Sequence, residues 1–185
     1  MAGHLCPWWC AYTFDNPLRG LVHKPEKILG PYVRPGMRCL DLGCGLGFFS
    51  LGLARLAGPE GQVIAVDLQW QMLRGLKKRA AQAGLLPVIQ ARRCRADDLN
   101  IADLAGSMDF ALAFYMLHEV PQPAGFLHQV SQALKPGAGF MIVEPLLHVT
   151  AAEFRRTLEA AGSNGLVIKD RPRVRLSHAA VLYRA

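Results

Sequence analysis

A glycine-rich segment, Leu40 to Ser50, is the part of the chain whose residue types and spacing best fit a chemical role. Its sequence is Leu-Asp-Leu-Gly-Cys-Gly-Leu-Gly-Phe-Phe-Ser, with glycines at every second position from Gly43 to Gly47. Glycine has no Cβ, so the backbone can turn sharply and pass close beneath a ligand. We therefore predict a cradle for a nucleoside or nucleotide between a strand and a helix.

The spacing of the glycines decides between two classes of ligand. The dinucleotide fingerprint G-x-G-x-x-G/A has a small residue at its sixth position, where the helix packs on the strand. Counted from Gly43, that position holds Phe48. The bulk of this side chain disfavours a bound dinucleotide.

The actual pattern, an acidic residue followed by x-G-x-G-x-G from Asp41 to Gly47, resembles the motif of Rossmann-like (class I) S-adenosylmethionine-dependent methyltransferases. The resemblance extends from Lys24 over nearly the whole chain and includes Leu134 to Gly139. It implies S-adenosylmethionine as the cofactor and S-adenosylhomocysteine as its product. The Asp41 carboxylate suits a sulfonium cation better than a pyrophosphate.

The resemblance also implies cofactor contacts at the ends of successive strands. Asp67 would accept hydrogen bonds from the ribose hydroxyls, although it could instead cap the next helix. Aligning on Leu99 leaves Arg95 where the family usually has an acid. We therefore favour Ala96 and Asp97 as neighbours of the adenine, against the alternative that they form a turn. The predicted cofactor-binding residues are Asp41, Gly43, Cys44, Gly45, Gly47, Asp67, Leu68, Ala96, Asp97 and Phe114.

The segment that follows the fourth predicted strand contains the candidate catalytic residues, Tyr115 and His118, with Glu119 beside them. The resemblance places this strand end near the transferred methyl group. Methyl transfer from a sulfonium is an in-line displacement, so a general base is needed only when the acceptor carries a proton. The alternatives are that Tyr115 packs on the cofactor, and that His118 closes the adenine pocket or stabilises a turn.

The segment from His4 to Arg19 differs most from the family pattern. Trp8, Trp9 and Phe14 are predicted to contact the methyl acceptor as part of a lid, together with Tyr115. Adjacent tryptophans bury a large apolar area, so exposure of both to water is disfavoured. A cap on the edge of the sheet and a dimer contact are the alternatives.

His4, Cys6 and Cys10 offer ligands for a metal or a thiophilic acceptor near the same end. Their spacing, H-x-C-x3-C, matches no structural zinc pattern, and no second cysteine pair follows. We therefore predict no bound metal.

The elements that must position these residues alternate from about Arg34 onward between short apolar runs and helical patterns, which predicts βαβ units and a largely parallel sheet. Predicted strands cover Arg38–Leu42, Gln62–Val66, Val88–Ala91, Met108–Phe114, Phe140–Val143, Leu166–Val174 and His178–Tyr183. Four helices are predicted. The first begins at Phe48, and the second has Met72, Leu73, Leu76 and Ala80 on its apolar face. The third has Phe126, Val130, Ala133 and Leu134 facing inward and stops at Lys135-Pro136-Gly137, and the fourth begins with a Thr150–Glu153 capping box and has the apolar stripe Phe154, Leu158 and Ala161.

The last two apolar runs are joined by only a short Arg-Leu-Ser connection, which can link antiparallel neighbours but cannot cross over to a parallel strand. The predicted fold is α/β: a doubly wound, mostly parallel seven-stranded sheet with the last strand antiparallel, in a three-layer α/β/α sandwich. Residues 1–33 are predicted to form a cap or lid segment with a helix, and residues 34–185 the Rossmann-like core of a single domain.

Composition narrows the functional classes. The 185 residues are 51% hydrophobic, yet no apolar run reaches the roughly 20 residues that span a bilayer. The odd number of cysteines, five, favours reduced thiols over a disulfide framework. Because the N-terminus does not resemble a secretory signal, we expect a cytoplasmic location, and we expect no membrane partner. The oligomeric state is not predicted.

A net charge of +7 leaves nucleic acid as a partner to consider. The fourth strand lacks the Asn/Asp-Pro-Pro-Tyr/Phe element used on exocyclic base nitrogens, and no basic aromatic platform for an extruded base is present. The leading hypothesis is therefore a methyltransferase acting on a small molecule. An RNA methyltransferase and a non-catalytic S-adenosylmethionine-binding protein are the alternatives.

Overall fold

The computed structural model describes residues 22–185. The strands are β1 (Arg38–Leu42), β2 (Gln62–Asp67), β3 (Ile89–Arg93), β4 (Met108–Phe114), β5 (Leu134–Pro145), β6 (Leu166–Asp170) and β7 (Ser177–Arg184). The α-helices are α1 (Pro25–Leu29), α2 (Phe48–Ala57), α3 (Trp70–Gln82), α4 (Pro123–Ala133) and α5 (Ala151–Gly162). Short 3₁₀ turns cover Ala102–Leu104 and Leu117–Glu119.

The strands form a seven-stranded sheet in the order β3-β2-β1-β4-β5-β7-β6. β1 pairs with β2, β2 with β3 and β4 with β5 in parallel, whereas β7 is antiparallel to both β5 and β6. This confirms the predicted α/β class and the mostly parallel sheet with an antiparallel last strand. In space that strand lies between β5 and β6.

The chain divides into two compact units, one that ends at Cys94 and one that begins at Arg95. In the N-terminal unit β1 and β2 are buried along almost their whole length, as expected for parallel strands covered on both faces. Helix α3 buries Met72, Leu73, Leu76 and Ala80. This is the face that its three- and four-residue apolar spacing predicts.

Helix α5 of the C-terminal unit begins with the predicted capping box. The Thr150 hydroxyl accepts a hydrogen bond from the Glu153 amide at 3.3 Å, and the Thr150 amide donates to the Glu153 carboxylate at 2.8 Å. Donation from the Thr150 amide, and then from its hydroxyl, lowers the pKa of Glu153. The buried stripe of Phe154, Leu158 and Ala161 is confirmed.

The predicted start of the fifth strand, Phe140, is wrong: β5 begins at Leu134, directly after α4 ends at Ala133. Leu134 is already extended, with ψ of 146°, and Pro136 disfavours helical dihedrals at the residue before it, Lys135, so the helix does not resume. Leu134 pairs with Met108, and the register then shifts so that Gly139 pairs with Phe110. The intervening residues form an irregular stretch that the apolar pattern does not show.

The predicted end of the sixth strand, Val174, is also wrong. β6 ends at Asp170, so residues 171–176 connect it to β7 and the link is longer than the expected Arg-Leu-Ser. Pro172 has no amide hydrogen for a strand ladder. The Arg171 amide donates instead to the Asp170 carboxylate at 2.7 Å. The prediction of antiparallel neighbours is nevertheless confirmed, because residues 171–176 reverse the direction of the chain between β6 and β7.

Replacing Thr150 by alanine should lower the free energy of unfolding by about 1 kcal/mol, because an orphan amide at the start of α5 loses its partner. Thr157→Ala is the matched control, since Thr157 lies inside the same helix and its hydroxyl contacts only the Glu153 carbonyl in the preceding turn. The control should stay within about 0.5 kcal/mol of wild type. Urea unfolding of both variants measures the difference, and equal losses would contradict the role of the cap.

Candidate active site

The glycine loop between β1 and α2 is built on left-handed backbone. Gly43, Gly45 and Gly47 have φ angles of 66°, 52° and 86°, a region that side chains with a Cβ disfavour. A Cβ at Gly45 would meet no atom within 4 Å, whereas one at Gly47 would lie 2.1 Å from Leu76 Cδ1. Gly47 is thus required for packing against α3, and Gly45 presents bare backbone to open space.

Asp67, at the end of β2, is joined directly to this loop. Its Oδ2 accepts a hydrogen bond from the Gly45 amide at 2.9 Å, and its Oδ1 accepts one from the Gln69 amide at 2.8 Å. Burial raises the pKa of the Asp67 carboxyl, and donation from the amides of Gln69, Gly45 and Leu68 opposes that rise. A carboxylate has about four acceptor sites, so these two bonds leave capacity for further donors such as sugar hydroxyls.

Asp41 and Cys44 lie at the base of the loop and are both buried. The Asp41 carboxylate is 2% exposed and accepts a hydrogen bond from Ser50 Oγ at 2.5 Å, which ties β1 to α2. Burial raises the pKa of the Cys44 thiol well above its ordinary value, and the charges of Asp67 and then Asp41 add to the rise. The thiol is therefore held neutral.

In the C-terminal unit, the predicted adenine neighbours Ala96 and Asp97 lie in an exposed loop after β3. Gln129 of α4 fixes that loop: its side-chain amide donates to the Asp97 carbonyl at 3.1 Å, and its Oε1 accepts from the Leu99 amide at 2.8 Å. Sequence analysis did not single out Gln129, because its partners are backbone groups about 30 residues away.

Tyr115 follows β4 in a strained conformation, with φ of 61°. Its amide donates to the Val143 carbonyl at 2.8 Å, and its hydroxyl and Ser177 Oγ are hydrogen-bonded at 2.6 Å. Its ring lies 4.6 Å, centroid to centroid, from the ring of the buried Phe114. The tyrosine is therefore held at its backbone, its ring and its hydroxyl.

His118 is paired with a buried carboxylate. Glu144, at the end of β5, is 2% exposed; its Oε1 accepts from the Leu117 amide at 2.9 Å, and its Oε2 lies 2.5 Å from His118 Nδ1. Burial lowers the pKa of His118, but the hydrogen bond to Glu144 and its charge, assisted by the charge of Glu119, outweigh burial and raise that pKa overall. The imidazole side chain remains 24% exposed.

Glu144 and Ser177, like Gln129, are site residues that the sequence motifs did not indicate. A signal for Glu144 was present: it directly follows the apolar run from Phe140 to Val143, and an ionisable residue that ends a buried strand requires a partner. The carboxyl ends of adjacent parallel strands share one edge of the sheet, which could have linked Glu144 to His118. Ser177 carried no comparable signal.

The predicted acceptor contacts Trp8, Trp9 and Phe14 lie outside the described residues, as do His4, Cys6 and Cys10. Among residues 22–185, no group of three or more His, Cys, Asp or Glu side chains is arranged to hold a metal ion. Of the cysteines that the structure describes, Cys39, Cys44 and Cys94 are all buried. Over the same residues no helix is long and apolar enough to cross a membrane.

Comparison with known proteins identifies the family. A family model described as a methyltransferase domain matches residues 34–170. A ubiquinone biosynthesis O-methyltransferase from Xanthomonas axonopodis is 32% identical over 146 residues, which are 78% of this chain and 58% of that protein. A 2-phytyl-1,4-naphtoquinone methyltransferase from Synechococcus elongatus is 38% identical over 111 residues, 60% of this chain and 47% of that protein. The chain thus spans about half the length of these curated relatives.

Solved structures agree at the level of the fold. A SAM-dependent methyltransferase from Aquifex aeolicus superposes with a TM-score of 0.87 at 22% identity, over 98% of this chain and 100% of the other. An S-adenosylmethionine-dependent methyltransferase from Mesorhizobium loti gives 0.71 at 20% identity, over 89% of this chain and 100% of the other.

The chain belongs to the methyltransferase-domain family. The resemblance to class I S-adenosylmethionine-dependent methyltransferases is confirmed at the level of the family and the fold. The contributions of individual side chains and the domain boundary at residue 33 stay predictions.

Gly47→Ala should cost about 3 kcal/mol of unfolding free energy, because it combines left-handed strain with overlap against the fully buried side chain of Leu76. Gly84→Ala is the control: Gly84 follows α3 in a left-handed turn with φ of 69°, its amide donates to the Ala81 carbonyl at 3.1 Å, and a Cβ there meets no atom within 4 Å. Strain alone should then cost about 1 kcal/mol. Urea unfolding of both variants separates strain from overlap, and equal losses would refute the assigned packing role of Gly47.

Proposed function

We propose that this chain transfers a methyl group from S-adenosylmethionine to a hydroxyl group of a small molecule. Family membership supports methyl transfer as the reaction class, and the His118–Glu144 pair supports a hydroxyl group as the acceptor. A base is useful only where the acceptor must lose a proton, as a hydroxyl does. The printed names of two relatives, an O-methyltransferase of ubiquinone biosynthesis and a naphtoquinone methyltransferase, support a small cyclic acceptor.

The glycine loop and Asp67 fit the cofactor. Gly45 offers bare backbone next to open space, and Asp67 retains acceptor capacity for ribose hydroxyls. Asp41 contributes to the cofactor site indirectly: its buried carboxylate accepts a hydrogen bond from Ser50 Oγ and so holds the glycine loop in place. Gly43, Gly47, Cys44, Leu68, Ala96, Asp97 and Phe114 complete the proposed cofactor set.

When bound, the cofactor supplies a methyl group on a sulfonium sulfur, which an acceptor oxygen takes as the carbon–sulfur bond breaks and S-adenosylhomocysteine is left. The chain's own part is to remove the hydroxyl proton. With Nδ1 donating to Glu144, the lone pair of the neutral ring lies on Nε2 of His118, which accepts that proton. Glu144 fixes the ring and stabilises the imidazolium that results.

Tyr115 is proposed to line the acceptor position. Its phenol is engaged by Ser177 at 2.6 Å, so its ring is held as a wall. Trp8, Trp9 and Phe14 remain proposed acceptor contacts. We propose no nucleic acid partner and a cytoplasmic location, as the sequence analysis expects; low-salt RNA binding that weakens steeply with salt would count against the first.

Asp67→Asn should weaken binding of S-adenosylhomocysteine at least tenfold, because an amide offers one acceptor oxygen where two are needed. Isothermal titration calorimetry measures this affinity, and thermal melting checks that the variant is folded. Asp109→Asn is the control: Asp109 lies at the start of β4, where it pairs with Lys135 at 2.5 Å. Equal affinities in all three proteins would remove Asp67 from the cofactor site.

His118→Asn should lower kcat by about 10² to 10⁴-fold with a hydroxyl acceptor found by screening hydroxyl, thiol and amine compounds with labelled cofactor. The control is His128→Asn, which alters an exposed histidine on α4. A screen that yields only thiol or amine acceptors would contradict the proposed acceptor class.

The pH profile isolates the role of Glu144. Since Glu144 raises the pKa of His118 and the neutral imidazole is the base, the wild-type rate should climb with pH through a midpoint above the ordinary histidine value of about 6.5. Glu144→Gln should lower kcat and move that midpoint to lower pH. An unmoved midpoint would show that His118 is not the titrating base.

A further inference from the structure

The most exposed apolar side chains of the described residues lie together at one end of the C-terminal unit. Leu147 is 93% exposed, Leu176 62% and Leu146 50%, more than any other large hydrophobic residue that the structure describes. The Leu146 amide donates to the Leu176 carbonyl at 3.1 Å, which joins the loop after β5 to the loop before β7. We call Leu146, Leu147 and Leu176 the leucine cluster.

Folding alone gives no reason for a leucine at position 176. Its φ is 57°, in the left-handed region where glycine or asparagine would be less strained. Its side chain points to solvent, so burial does not offset the strain. The same loop is anchored by the buried Val174 and by donation from the Ser177 amide to the Val174 carbonyl at 3.2 Å. Leu176 is thus held outward on a fixed turn.

The two loops that carry the leucine cluster together hold arginines and no acid, with Asp170 just before one loop and Glu153 bound to Thr150 at the end of the other. Residues 171–176, Arg-Pro-Arg-Val-Arg-Leu, carry three arginines and no acid, and residues 145–150, Pro-Leu-Leu-His-Val-Thr, carry no acid either. Arg171 and Arg173 are exposed. Exposed leucines surrounded by arginines match a surface whose outer layer is anionic and whose interior is apolar.

We propose that the leucine cluster and the arginines of residues 171–176 dock this domain on an anionic lipid bilayer. The leucines enter the boundary between headgroups and acyl chains, while the arginines pair with lipid phosphates. The expectation of no membrane partner rests on the lack of a bilayer-spanning segment, and an interfacial contact needs none.

Co-sedimentation of the full chain with vesicles tests this docking without any substrate. Wild type should bind phosphatidylcholine vesicles that contain about one third phosphatidylglycerol, bind pure phosphatidylcholine far more weakly, and dissociate as salt is raised. Leu147→Ser should weaken binding about tenfold, and the double variant Arg171→Gln, Arg173→Gln about 25-fold, at about fivefold for each arginine.

Matched variants elsewhere separate this patch from general stickiness. Leu86→Ser removes a leucine that is 45% exposed in the N-terminal unit. The double variant Lys77→Gln, Lys78→Gln removes two positive charges, as the arginine double variant does, but from the exposed face of α3. Both controls should bind vesicles as wild type does, and circular dichroism should show every variant folded. Failure of wild type to bind anionic vesicles, or equal losses in the controls, would overturn the proposal.

Discussion

The candidate site depends on the requirement that a buried carboxylate be surrounded by hydrogen-bond donors. Glu144 is 2% exposed and Asp67 8%, and each draws its donors from the segments that follow strands. Glu144 takes the Leu117 amide and the His118 ring, and Asp67 takes the amides of Gly45 and Gln69. Because an unpartnered buried charge is costly, these loops are fixed by the same groups that would act on ligands.

Unusual backbone conformations also fix the loops of the candidate site. Left-handed dihedrals occur at the three loop glycines, where bare backbone is needed, and at Tyr115, where the strain is offset by bonds to Val143 and Ser177. Strain of this kind persists only when the surroundings over-determine it. The segment from Tyr115 to His118 is thereby held to the end of β5, so that Nδ1 of His118 meets the carboxylate of Glu144.

Much of this architecture could be predicted from local patterns. The apolar face of α3, the capping box at Thr150 and the glycine loop each depend on residues close in sequence, so spacing alone indicates them. The start of β5 and the end of β6 could not be placed, because Pro136 and Pro172 act against the apolar pattern around them. Glu144 and Gln129 were missed because their partners lie 26 and 30 residues away and meet them only in the folded chain.

NMR of the histidine ring nitrogens in the folded protein shows whether the buried Glu144 carboxylate orients the His118 imidazole and raises its pKa. The neutral ring of His118 should carry its proton on Nδ1, and its pKa should exceed about 6.5 and fall when Glu144 is replaced by glutamine. A neutral ring protonated on Nε2, or a pKa at or below the ordinary value in wild type, would contradict this role of Glu144.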